Sequence, residues 1–156
     1  MPRHATSTAV PHAPDKMFDL VADIERYPDF LPWCKALRVI SRMREGDKEV
    51  ILADMRVGYR MFRETFRSRV TLDRDQLFID TKYVRGPLRD LQNQWRFEPE
   101  TSGGVPLDRA GSIVHFDVSF SFLNPMLESA ANAVFEDAFA RMSEAFVKRA
   151  DEIYAR

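Results

Sequence analysis

The longest regular pattern in the chain lies at its end, between Asn124 and Tyr154. Leu127, Ala131, Val134, Phe135, Ala138, Phe139, Met142, Ala145, Phe146 and Ile153 recur at steps of three and four, which at about 100° per residue gathers them into one apolar stripe. Glu136, Asp137, Arg141, Glu144, Lys148, Asp151 and Glu152 take the opposite side. Asn124 can accept from the first free N–H groups, and Pro125 has no N–H to lose at the first helical position. A helix of this length spans roughly 45 Å and needs a wide apolar partner.

The partner is predicted by a different period. Arg3 to Val10 alternate as a first strand closed by Pro11, and Pro14-Asp15 open a helix that buries Met17, Phe18, Val21 and Ile24. A corner dense in aromatic residues and proline follows from Glu25 to Cys34, where Pro28 and Pro32 forbid a long helix. From Lys35 to Thr81 the apolar positions alternate. Leu37, Val39 and Met43 share one face, and Glu45-Gly46-Asp47 turns the chain into a strand with Ile51, Ala53, Met55 and Val57 inward. Gly58 is expected to interrupt that strand. Phe62, Phe66, Val70 and Leu72 oppose Arg63, Thr65, Arg67, Arg69 and Thr71, and Leu77, Ile79, Thr81 and Tyr83 form the next set. Arg85 to Leu91 and Glu98 to Gly111 read as loops by composition, the second as the more mobile. Between them Asn93, Trp95 and Phe97 face one way. Val114, Phe116, Val118, Phe120 and Phe122 then alternate with polar neighbours and feed directly into the final helix. The expected architecture is α+β: a bent antiparallel sheet of about seven strands wrapped around one long C-terminal helix, in a single domain over residues 1–156.

Composition adds limits. The 23 basic and 24 acidic residues leave a formal charge of -1, so no overall field recruits DNA or a membrane. One cysteine, Cys34, excludes an internal disulfide and agrees with a reducing compartment. No apolar run has the ~20 residues that cross a bilayer, and no signal-like core opens the chain, so a cytoplasmic location is expected. His4, His12 and His115 lack metal-ligand spacing, and no nucleophile elbow, CxxC pair or phosphate loop occurs. These absences argue for binding rather than catalysis, with no catalytic residue, metal or required cofactor.

Taken together, Tyr27, Phe30-Leu31-Pro32-Trp33-Cys34, Gly86-Pro87-Leu88 with Leu91, Trp95-Arg96-Phe97 and Phe146-Val147-Lys148-Arg149-Ala150 make the chain resemble the coenzyme Q-binding branch of the START-like, helix-grip superfamily, which includes bacterial ribosome-associating relatives. The resemblance runs over nearly the whole chain. It implies a hydrophobic ligand, ubiquinone or a related isoprenoid lipid, and a role in respiratory electron transport; the alternative is binding to the large ribosomal subunit that blocks subunit joining.

The inward rows nominate Phe62, Phe66, Ile79, Trp95, Phe97, Phe116, Val118, Phe120, Phe135, Phe139, Met142 and Phe146 as cavity lining. Phe30, Leu31, Trp33, Pro87 and Leu88 would form an entrance that touches membranes transiently, at the inner face. Glu64 shares the parity of Phe62 and Phe66; it either meets an arginine or is turned outward at a bulge, or else contacts a ligand head group inside the mouth. Arg63, Arg67 and Arg69 project together from the outer face and suit phosphate groups of RNA or of lipid heads, or serve simply as a solvated face that guards against aggregation.

Overall fold

The computed structural model describes residues 3–31, 33–59, 62–86, 88–102, 105–106, 111–123 and 125–154; residues 59, 62, 101–102, 105–106 and 125–135 are described by their backbone alone. The chain runs through β1 (Arg3–Val10), α1 (Pro14–Ala22), a 3-10 turn (Ile24–Arg26), α2 (Tyr27–Phe30), β2 (Cys34–Glu45), β3 (Lys48–Tyr59), β4 (Phe62–Asp73), β5 (Phe78–Arg85), β6 (Leu88–Pro99), the short pair β7 (Thr101–Ser102) and β8 (Val105–Pro106), β9 (Ser112–Phe122) and α3 (Pro125–Tyr154). Seven strands form one antiparallel sheet in the order β1-β9-β6-β5-β4-β3-β2. From β2 to β6 each strand pairs with its neighbour in the chain, because short turns leave no room for another order. The α1–α2 segment carries the chain from one sheet edge, β1, to the other, β2.

The concave face is apolar because the period-2 pattern survives along nearly every strand. In β9 the inward residues Val114, Phe116, Val118, Phe120 and Phe122 are all buried. The ladders carry register shifts at Cys34/Ala36, Val39/Ser41, Arg67/Ser68 and Leu88/Asp90, and two of these decide where expected side chains land. Between Val39 and Ser41 an extra residue in β2 reverses the pleat, so Met43, expected inward, is 57 % exposed. Between Leu88 and Asp90 the same device in β6 lets both Leu88 and Leu91 meet the inward rings of β9. The segment expected as a loop from Arg85 to Leu91 is thus mostly strand, with its turn compressed at Gly86. That residue has φ +150°, and a Cβ there would lie 3.0 Å from both the Thr65 carbonyl oxygen and the Tyr83 hydroxyl, so a side chain meets strain and backbone at once.

Gly58 makes neither the bulge nor the tight connection expected of an interruption, since it pairs with Arg63 without a register shift. The strand continues to Tyr59, and the missing Cβ leaves space for the Lys35 side chain, whose Cε would come within 3.0 Å of it. In the expected loop 98–111, β6 continues to Pro99 and β7 pairs with β8; the remaining positions 103–104 and 107–110 lie outside the described residues.

The long helix forms as its stripe predicts. Ala138, Met142, Phe146 and Ala150, one per turn, are buried against the sheet and α1. Ile153 departs from expectation at 46 % exposure. The last turn is instead held by His12, whose Nε2 lies 2.7 Å from Asp151 Oδ1 and whose ring packs 5.9 Å from Tyr154. The expected N-cap Asn124 and the Leu127–Phe135 part of the stripe lie outside the residues whose side chains are described. At the other end of the core, α1 buries Met17, Phe18, Leu20 and Val21, with Phe18 edge-on to Phe97 at 5.9 Å.

Candidate ligand cavity

Large side chains do not fill the space between the concave face and α3. A cavity of about 160 Å³ remains, walled by β2 to β6, β9, the α2 corner and the middle turns of α3. Its back wall is an aromatic cluster: Trp95 lies 4.6 Å from Phe116 and 5.2 Å from Phe146, and Phe139 lies 5.8 Å from Phe116 and 6.1 Å from Phe120 between ring centroids. Rings this size cannot interdigitate across a bent sheet as aliphatic chains do, and small residues stand opposite them. Ala53, Ser68, Thr81 and Ala138 all border the space.

The wall carries no charged side chain among the described residues. Its polar groups are largely engaged by the protein itself. Asn93 donates through Nδ2 to the Asp117 carbonyl at 3.1 Å and accepts the Trp95 indole N–H at 3.1 Å. The Tyr83 hydroxyl accepts the Leu88 N–H at 3.0 Å, and Tyr27 donates to the Val21 carbonyl, its phenol pushed well above the ordinary tyrosine range by burial. Ser68 and Thr81 add hydroxyls, and the buried indole N–H of Trp33 has no partner among the described residues. Such a site offers shape and dispersion with a few neutral hydrogen-bonding groups, and its described lining holds no carboxylate, imidazole, amine or thiol. Cys34 supplies no nucleophile: burial pushes its thiol up to about 11, so it is un-ionised near neutrality. Among the described residues no group of three metal-ligating side chains gathers anywhere.

Of the nominated lining residues, Leu31, Trp33, Phe66, Ile79, Leu88, Trp95, Phe116, Val118, Phe120, Phe139, Met142 and Phe146 come together around this space. Phe97 and Phe30 do not border it. Phe97 sits behind Trp95, stacked on it at 6.2 Å and closed off by Phe18. Phe30 packs on the outer side of Tyr27 and Phe146, with the Arg149 guanidinium 5.5 Å from its ring centre. Pro87 and the side chains of Phe62 and Phe135 lie outside the described residues. The lining nominees leave out Tyr27, Ser68, Thr81, Tyr83 and Asn93, which also border the space, although the alternation itself puts Thr81, Tyr83 and Asn93 on the faces of Ile79 and Trp95. Thr81 and Asn93 are cross-strand partners flanked by inward Ile79 and Trp95.

Glu64 has the inward parity, as cross-strand partner of Val57, but stands beyond the end of the apolar wall and is exposed. It borders a solvent-open depression with Lys35, Arg56, Arg63 and Thr65, next to the cavity through Val57. On the convex face Arg63 and Arg69 are exposed as expected, whereas Arg67 is not free. Its Nε and Nη2 hold Asp54 at 2.7 and 3.0 Å, and that fork keeps the Asp54 carboxyl below the usual range. His115, on the same convex face of β9, is fixed between Ser7 Oγ at 2.7 Å and Glu98 Oε1 at 2.6 Å.

Comparison with known proteins gives a consistent picture. The family described as polyketide cyclase / dehydrase and lipid transport matches residues 10–147. A ribosome association toxin RatA of Rickettsia prowazekii is 35% identical over 147 residues, covering 92% of each chain. The mitochondrial coenzyme Q-binding protein COQ10 homolog B of Xenopus laevis is 30% identical over 148 residues, covering 91% of this chain and 55% of that one. An 18 kDa protein of Caulobacter crescentus superposes with a TM-score of 0.81 at 31% identity over the whole of both chains. An aromatase/cyclase from Streptomyces has the same fold, with a TM-score of 0.79 at 15% identity over 99% of this chain and 97% of that one. Among the described residues no helix is long and apolar enough to cross a membrane.

Proposed function

Because the chain belongs to the polyketide cyclase / dehydrase and lipid transport family, in the branch that holds RatA and COQ10 proteins, we propose that it binds a hydrophobic molecule without transforming it, ubiquinone or a related isoprenoid lipid serving electron transport. The observation that carries this reading is the uncharged cavity of about 160 Å³ behind the aromatic cluster. An apolar void near 150 Å³ admits a benzene-sized group, so a benzoquinone ring or one stretch of isoprenoid fits. Burying six carbons contributes about 5 kcal/mol at most, which alone corresponds to sub-millimolar affinity. Tighter binding requires the rest of the ligand to find further apolar surface. In this reading Leu31, Trp33 and Leu88, which line the cavity and are buried in the closed protein, part to let the ligand through, and a passing contact with a membrane delivers it.

The test is direct. Protein purified under native conditions is extracted with organic solvent and the extract read by mass spectrometry, while the stripped protein is titrated with a one-isoprene ubiquinone and followed by tryptophan fluorescence. A co-purifying prenylated quinone and saturable quenching are expected. A clean extract together with linear, non-saturating quenching overturns the carrier reading.

A second reading is favoured by a separate observation. Relatives named ribosome association toxin match the chain over nearly its full length, and the convex face, turned away from the cavity, carries exposed arginines. In this reading the protein associates with the large ribosomal subunit and hinders subunit joining. Cosedimentation with purified large subunits tests it, and the two activities can coexist on opposite faces of one sheet.

A further inference from the structure

Cross-strand register places the convex-face cations in ordered rows. Arg38 of β2, Asp54 of β3, Arg67 of β4 and Arg85 of β5 are successive partners across four strands, and Asp54 lies in the field of all three arginines. Arg69 and Lys82 are partners in a second row, while Arg56 and Arg63 extend the field along β3 and β4. Arg38, Arg56, Arg63, Arg69 and Arg85 are exposed and have no ion-pair partner among the described residues. The acids near them are Asp54, already held by Arg67, Asp80, 3.8 Å from Lys82, and at one edge the exposed Glu64, which borders the same depression as Arg56 and Arg63. Strands lie about 4.8 Å apart and alternate residues about 7 Å apart, so these cations repel one another inside a Debye length of about 8 Å. An anionic partner with repeated charges relieves that repulsion; a single small anion would relieve one site.

We propose that the convex face of β2 to β5 is the docking surface for the phosphate backbone of RNA. This deepens the ribosome-association reading and rests on it. Arginine dominates over lysine, as suits bidentate recognition of phosphate. The Arg67–Asp54 fork stiffens the middle of the field without neutralising its edges. A membrane fits less well, because surface-bound proteins combine charge with inserted apolar groups. On this sheet the exposed large apolar residues, Ile40, Met43 and Val84, lie on β2 and β5, with none on β3 or β4 among the residues whose side chains are described.

The experiment uses the full chain, a pair of double variants, Arg56→Gln/Arg69→Gln and Arg38→Gln/Arg85→Gln, and their combination. Arg67 is left intact because of its structural pair. Binding to purified large ribosomal subunits is measured between 50 and 200 mM salt, with thermal unfolding as a control. About five phosphate contacts predict a loss of roughly a hundredfold or more over that range, and each double variant should lower the salt slope by about 2 with an unchanged unfolding midpoint. Wild-type binding by the folded quadruple variant overturns the surface while leaving ribosome association standing. If the parent chain does not cosediment even at 50 mM, the ribosome reading falls; the surface is then judged on a short structured RNA, where absence of saturable, salt-sensitive binding overturns it as well. Arginine-dependent binding to phosphatidylglycerol vesicles without RNA binding overturns it in favour of a membrane.

Discussion

Filling the cavity from the helix side provides the sharpest test of the site. Ala138 is 6 % exposed and borders the void. Replacing it with Leu adds three carbons, worth about 2.4 kcal/mol if they enter the empty space. Against this stand about 0.5 to 1 kcal/mol of lost side-chain entropy and a few tenths in helix propensity. The net expectation is a stabilisation of about 1 to 1.5 kcal/mol. A void of 160 Å³ at about 24 cal/mol per Å³ carries a deficit near 4 kcal/mol, so the gain lies well within what is available. The same three carbons displace ligand: one-isoprene ubiquinone should bind about fiftyfold more weakly, the equivalent of 2.4 kcal/mol. Ala150→Leu is the control. It lies on the same stripe, is 0 % exposed and does not border the void, so it should be overpacked and lose about 1 to 3 kcal/mol. Urea unfolding measures both variants, and fluorescence titration measures binding. Destabilisation of Ala138→Leu by more than about 1 kcal/mol with unchanged quinone affinity would refute both the void and its role.

Three further outcomes follow from particular contacts. Gly86→Ala should cost about 2 to 3 kcal/mol in urea unfolding, because φ +150° and two contacts at 3.0 Å act together, whereas Gly46→Ala, at φ +64° with open space around it, should cost about 1 kcal/mol. Cys34, with its thiol pushed up to about 11 by burial, should resist a thiol-specific reagent at neutral pH and react fully once the chain is unfolded; rapid labelling of native protein would contradict its burial. The Asp54 carboxyl is held below its ordinary range first by the Arg67 hydrogen bonds and further by Arg67, Arg85 and Arg38 charge. Its folded-state pKa is therefore depressed, so its contribution is present above the unfolded carboxylate range and is lost as pH falls through the folded value. Asp54→Asn should remove that part of the acid-side loss, giving a flatter stability curve below about pH 4 than the parent.

Much of the fold was legible because each element's burial follows one period. The stripe ending at Phe146, the alternation of β9 and the inward row of β3 each required only that apolar side chains share a face. Position in space was less legible. Met43 lost its predicted face to one extra residue in β2, and Leu88 gained a strand through a bulge, since a single-residue slip reverses every later side chain while leaving composition unchanged. Phe97 and Trp95 share a face, yet only Trp95 meets the void, because Phe18 of α1 caps its neighbour. Arg67, Arg63 and Arg69 looked alike until the register set Arg67 opposite Asp54.

Local pattern therefore determined the elements, the two-faced sheet and the family resemblance, each of which depends on residues close in the chain. Only the tertiary structure decided that the interior is under-filled and which side chains border the gap. It also decided which arginines remain unpaired on the far side. Volume and charge balance are sums over elements distant in sequence, and they take definite values only when the sheet has closed over the helix.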